Sequence, residues 1–194
     1  MRKMLLPVFF APIFSFGQTL KFNTGATASA LIYPTSFNIK TGLNNILIGF
    51  TGAAGIDYSE TKWGFLSSNI GFVQKGSKDK VTYTDPLGNS TWTGIVKTKF
   101  NYITLNTTIN FKISRGSLVP FFSVGPRIDY LLNQKDFVDS KNIKFAYGLN
   151  GGLGLIKRID KMEFGGRIDY LLNIAEHPND RTGAIQVFFG YKLK

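Results

Sequence analysis

The residues of this chain that could do chemistry are few, and the most regular of them are paired cations and carboxylates. Arg127 stands two residues before Asp129, and Arg167 two before Asp169, each pair inside the heptapeptide RIDYLLN, which occurs twice, forty residues apart. A guanidinium beside a carboxylate can form a strong charge-assisted pair. Positions that share the inward parity of their segments add Asp57, Lys75, Lys112, Arg158, Glu163 and Lys192. Such a set could line an ion-selective pore, relay protons, or fill an enclosed space as a paired network. Isolated charges away from water are costly, so interleaved Arg and Asp are expected to pair, with Asn and Gln completing their hydrogen bonds. The network reading is preferred, and a narrow channel or small-solute carrier is its first rival.

Other chemistry finds little support. His177 is the sole histidine and sits in the stretch Glu176-His177-Pro178. Histidine with serine and a carboxylate could make a lipid-modifying hydrolase or acyltransferase. However, no G-x-S-x-G motif accompanies it, and a Pro- and Asn-containing loop is a poor wall for a general base. With no cysteine in the chain and its acids dispersed, no metal site or other cofactor is expected. The expectation is therefore a protein that is not an enzyme.

The elements that position these residues are strands. Successive side chains of a strand point to opposite faces. Around the first RIDYLLN, Phe122, Val124, Pro126, Ile128, Tyr130 and Leu132 share one face, opposed by Ser123, Gly125, Arg127 and Asp129. Around the second, Met162, Phe164, Ile168, Tyr170 and Leu172 oppose Glu163, Gly165, Arg167 and Asp169. A long aromatic face opposed by pairable charges is the alternation of a transmembrane barrel, apolar toward lipid and polar toward the lumen. A soluble lipocalin-like barrel would need the reverse, an apolar interior.

Eight such segments can be read, at roughly 23–33, 46–58, 63–75, 99–113, 119–132, 144–157, 162–173 and 184–194. Most reach the roughly ten residues of a tilted membrane-crossing strand. The first, rich in Ala and Thr, gives only a weak register. Links at 59–62, 114–117 and 158–161 are tight, whereas those at 34–45, 76–98, 133–143 and 174–183 are long and polar. Outer-membrane barrels alternate short periplasmic turns with longer external loops, which would put both termini in the periplasm. The two RIDYLLN copies would then run in the same direction, with their Arg and Asp at similar depth. Tyr33, Trp63, Tyr130, Tyr147, Tyr170 and Tyr191 suit interfacial girdles, while the parity of Tyr102 points inward. The loop 76–98 holds the turn sequence Asp85-Pro86-Leu87-Gly88-Asn89 between alternating flanks, so its strands are expected to continue as a hairpin. There Tyr83 and Trp92 are candidate contacts for a protein partner.

Bounds from the whole chain agree. At 194 residues it is one domain, and no apolar run is long enough for a membrane-spanning helix. Met4 to Phe16 is apolar behind Arg2 and Lys3, with small residues at Ser15 and Gly17. That describes a secretory signal peptide over residues 1–17, leaving a barrel domain over 18–194. The formal charge of +11 loses two positives with the signal. Lys and Arg are scattered, with no basic run of five, so nucleic acid is not an expected partner, and anionic lipid headgroups suit the charge better.

The chain resembles the small porin-like outer-membrane β-barrels of Bacteroidota, the PorT-like group, across essentially all of its mature length. The resemblance is carried by NIGFVQKG at Asn69 to Gly76, YITLNTTINFK at Tyr102 to Lys112, PFFSVGPRIDYLL at Pro120 to Leu132, LNGGLGLI at Leu149 to Ile156, and the closing GYKLK. Asn106 stands where that group usually has Pro, and Lys194 where it has an aromatic residue. The resemblance implies an all-β, eight-stranded antiparallel up-and-down transmembrane barrel in a Gram-negative outer membrane. Its role would be structural or interactive, and a few members of the group serve protein secretion.

Overall fold

The computed structural model describes residues 18–32, 45–84, 90–114, 116–135, 144–174 and 179–193. They form eight strands: β1 (Thr19–Ile32), β2 (Asn45–Tyr58), β3 (Gly64–Thr84), β4 (Ser90–Lys112), β5 (Leu118–Lys135), β6 (Phe145–Ile159), β7 (Met162–Asn173) and β8 (Asn179–Lys192). Each pairs antiparallel with its neighbour in sequence, and β8 returns to β1 from Thr19↔Lys192 to Ile32↔Asn179, so the sheet closes. Closure gives every strand a neighbour on both sides around the ring, as a chain crossing hydrocarbon requires. Short turns follow β2, β4 and β6. Two of them contain a residue with left-handed backbone, Ser59 (φ 54°) and Asp160 (φ 51°). The Thr61 hydroxyl donates to the Gly64 carbonyl at 3.0 Å and fastens the first.

The period-2 pattern sorts side chains as the sequence reading expects. From Val119 to Tyr130 the odd-numbered residues of β5 are buried, and the even-numbered ones are exposed or half-buried. Ile128, Tyr130, Tyr147, Leu153, Ile168, Tyr170, Leu172, Ile185 and Val187 all present their side chains outward. Outer aromatic rings pack across neighbouring strands, Phe111 on Phe122 at 4.6 Å and Phe164 on Phe189 at 5.3 Å. Toward the long-loop end, Gln74, Asn101 and Asn133 link side chain to side chain at 2.9 and 2.5 Å.

Three features differ from the expectation, and one long hairpin agrees with it. β1 begins at Thr19 and β8 at Asn179, both earlier than read, because polar and small residues there still pair across the closure. β1 also acquires a definite register: Leu20 and Phe22 point out, while Lys21, Asn23, Thr27 and Ser29 point in. β3 and β4 run past their outer neighbours. β2 pairs β3 no further than Lys78, and β5 pairs β4 no further than Lys99, yet β3 and β4 stay paired to Thr84↔Ser90, the hairpin that the alternating flanks suggest. The two RIDYLLN copies are not level. Arg127 lies opposite Gly148 of β6 and Arg167 opposite Gly154, because nine residues of β5 precede Arg127 and five of β7 precede Arg167.

The interior is also less polar than alternation alone implies. Phe65, Val119, Phe121, Ile156 and Phe188 form an apolar layer toward the short-turn end, and Val73, Phe100, Tyr102 and Leu171 a second cluster. In the first layer the Phe121 ring lies 5.9 Å from Phe65 and 6.4 Å from Phe188. Glycines on the facing strands make room for it. A Cβ on Gly154 would stand 2.5 Å from Phe121 Cζ, and one on Gly165 would overlap both the Phe188 ring and the Leu155 carbonyl. Gly154→Ala is expected to cost about 1–3 kcal/mol through overpacking, read as a lowered unfolding midpoint in detergent. A Phe121→Leu partner substitution that recovers most of the loss would locate the clash.

Candidate lumen network

The inward charged residues gather at three levels. Near the short turns Glu60, in the turn after β2, accepts from Lys112 Nζ at 2.6 Å and from Arg158 Nη2 at 2.5 Å, with Lys192 Nζ 3.7 Å away. Arg158 Nε also reaches Glu163 at 2.9 Å. Burial pushes the Glu60 carboxyl up, but the Lys112 hydrogen bond and the Arg158 charge outweigh it and hold it below the ordinary glutamate value. A depressed carboxylate stabilises the fold above its unfolded pKa, and that contribution disappears as pH falls through the folded value. Glu60→Gln is therefore expected to destabilise the protein at neutral pH by about 1 kcal/mol. Unfolding midpoints of the two proteins would converge on acidification below the usual carboxylate range.

At the next level Lys21 pairs with Asp57, whose other oxygen accepts from Ser67 Oγ at 2.6 Å. Lys21 Nζ also sits over the rings of Phe65 and Phe188 at 5.1 and 4.6 Å, so this ion pair is joined to the phenylalanine layer. Further along, asparagines link across strands, Asn23 to Asn69 at 3.4 Å and Asn69 to Asn106 at 3.0 Å.

The third group holds the two copies of the repeat, with Arg127 nearer the long-loop end than Arg167. Lys75 is 1% exposed and Asp129 0%, with Nζ 2.9 Å from Oδ2. Arg127 Nε lies 3.1 Å from the other Asp129 oxygen, while its Nη2 donates to Asn173 Oδ1 at 2.5 Å. Arg167 Nη2 bonds Asp169 at 2.5 Å. Tyr102, inward as its parity implies, lies beneath Lys75 Nζ at 5.3 Å from its ring centre.

Of the ten charged residues read as inward, Asp57, Lys75, Arg127, Asp129, Glu163, Arg167 and Asp169 are buried, and Lys112 and Arg158 are half-buried. The side chain of Lys192 remains 42% exposed at the rim. Two members escaped the sequence reading. Lys21 belongs to the strand whose register was weak, although the step from Leu20 to Phe22 carries the signal. Glu60 lies in a tight link, where strand parity says nothing. Tyr83 and Trp92 face each other in the backbone register at the far end of β3 and β4, and their side chains lie outside the described residues. Glu176 and His177 lie outside the described residues too, as does the segment 1–17.

A closed eight-stranded barrel with apolar side chains outside and ion pairs inside is the architecture of an integral outer-membrane protein. The sequence model of the outer membrane protein beta-barrel domain matches residues 16–175, and the chain belongs to that family. It is thus an outer-membrane barrel protein in contact with lipid. Among solved structures it is similar to OprG from Pseudomonas aeruginosa, at 12% identity over 92% of this chain and 96% of that one, with a TM-score of 0.59. It is likewise similar to Neisserial surface protein A, at 10% identity over 91% and 97%, TM-score 0.58. The N-terminal barrel domain of OprF from P. aeruginosa matches at 13% identity over 90% and 99%, TM-score 0.50. At such identities the likeness is one of fold. No curated protein sequence matches this chain.

Proposed function

We propose that this protein is a barrel whose lumen is held shut and which acts through contacts made outside it, by its long loops or with a periplasmic partner. The observation that carries the reading is the packing of Phe65, Val119, Phe121, Ile156 and Phe188 across the interior, with Ile156 at 0% exposure, together with the ion-paired layers beyond it. An eight-stranded barrel is just wide enough for side chains to fill. Long Arg and Lys side chains tied to carboxylates leave little freedom for a continuous water path. The extended β3–β4 hairpin, with Tyr83 and Trp92 opposed in its register, supplies the proposed partner contact. Export by the segment 1–17, short turns and both termini in the periplasm, and a place in the PorT-like group of Bacteroidota complete the proposal.

Planar bilayers test it. The unmodified protein is expected to give no steady conductance, and Arg127→Ala or Arg167→Ala at most brief openings. Steady ion flux through the unmodified protein would establish the channel reading instead.

A further inference from the structure

Between Arg127 and Arg167 the barrel interior holds a partly open cavity of about 30 Å³, with Asn23, Asn69, Asn150 and Gln186 also in its wall and no carboxylate among its lining residues. That is room for one monatomic anion or about two waters. Arg127 Nη1 and Arg167 Nε are buried without a hydrogen-bond acceptor among the described residues, and Arg127 Nε faces Asp129 only off the bonding direction. The charges are also unequal. With the buried Glu163 assigned to Arg158 in the Glu60 cluster, the other described buried ionised side chains are Lys21, Lys75, Arg127 and Arg167 against Asp57, Asp129 and Asp169, one positive charge in excess. The Glu60 cluster cannot lend the missing negative charge, because Lys112, Arg158 and Lys192 already outnumber Glu60 and Glu163 there.

An uncompensated charge inside a barrel surrounded by lipid is expensive. We propose that the cavity binds one monovalent inorganic anion of chloride size, held by the guanidinium groups of Arg127 and Arg167. The Asn150 amide oxygen has no donor, so the amide turned over would present its N–H₂ to the anion. The anion is a resident counter-ion that completes the lumen's charge balance. The site stands whether or not solute crosses the barrel, because it rests on the lining residues and not on the closure.

Bromide is the probe. Crystals of the detergent-folded protein soaked in sodium bromide are expected to show an anomalous peak between Arg127 and Arg167. The unfolding midpoint is expected to rise by several degrees as bromide replaces gluconate at constant ionic strength, since a ligand bound only by the folded state stabilises it. Asn150→Asp places a fixed negative charge on the same wall, and should abolish both the peak and the halide dependence while the protein stays folded. No bromide peak in the cavity, water density alone, or a midpoint indifferent to halide in the unmodified protein would overturn the proposal. Should Asn150→Asp fail to fold, the bromide map of the unmodified protein decides the matter by itself.

Discussion

Asp129→Leu is expected to cost about 3–5 kcal/mol, the loss found when one partner of a buried ion pair is removed and the other is left uncompensated. Asp129 is the only described carboxylate within reach of both Lys75 and Arg127, at 2.9 and 3.1 Å, and it is wholly buried. Its removal takes the shared carboxylate from two cations at once. Lys75→Met is expected to behave differently. It leaves the Arg127–Asp129 pair intact and removes one of the two described cations that share that carboxylate, so the change should lie within about 1 kcal/mol of neutral. The large asymmetry between two members of one ion pair is the signature of two cations sharing one carboxylate. Urea unfolding of the refolded barrel in detergent reads both values. Equal losses for the two substitutions would mean that the charges are screened by water and the interior is wet.

Phe121→Ala carries the second large effect. Its ring packs between Phe65 and Phe188 in the interior apolar layer. Truncating a buried phenylalanine to alanine typically costs about 3–5 kcal/mol, with the cavity left behind as part of the cost. Here the cavity would also open beside Lys21, whose ammonium rests over Phe188, so water gains access to the paired charges. Reduced stability together with intermittent conductance in planar bilayers is the expected outcome. Reduced stability with bilayers as silent as before would mean that the second apolar cluster, around Phe100 and Tyr102, shuts the barrel unaided.

The fold was legible because lipid enforces a strict rule on one face. Where that face is built of large apolar residues, as in Ile128, Tyr130 and Leu132 of β5, parity alone sorts every side chain. β1 obeys the same rule with Ala and Thr, whose small difference in polarity hides the register, and Lys21 was hidden with it. Strand length was legible within the membrane and lost at its edges, where β8 continues to Asn179 through residues that any loop could contain. The network was legible as parity and not as partnership. Nothing local links Lys112, Arg158 and Lys192, and they meet only because the turn residue Glu60 projects between them. Phe188 shows the opposite error: parity places it inside, but the expectation of a wholly polar lumen left no room for an aromatic layer. The offset between the RIDYLLN copies was invisible because it depends on the length of each strand before the repeat, measured from turns that sequence locates only roughly.

The decisive measurement is the accessibility of nitroxide labels placed on the outer face. The chain has no cysteine, so Leu153→Cys, Ile168→Cys and Val187→Cys each give one label, at residues whose side chains point outward from β6, β7 and β8. In lipid vesicles these labels are expected to be relaxed by dissolved oxygen, which concentrates in hydrocarbon, and shielded from a water-soluble nickel chelate. Labels relaxed by nickel and indifferent to oxygen would put the apolar face in water and contradict a membrane-spanning barrel.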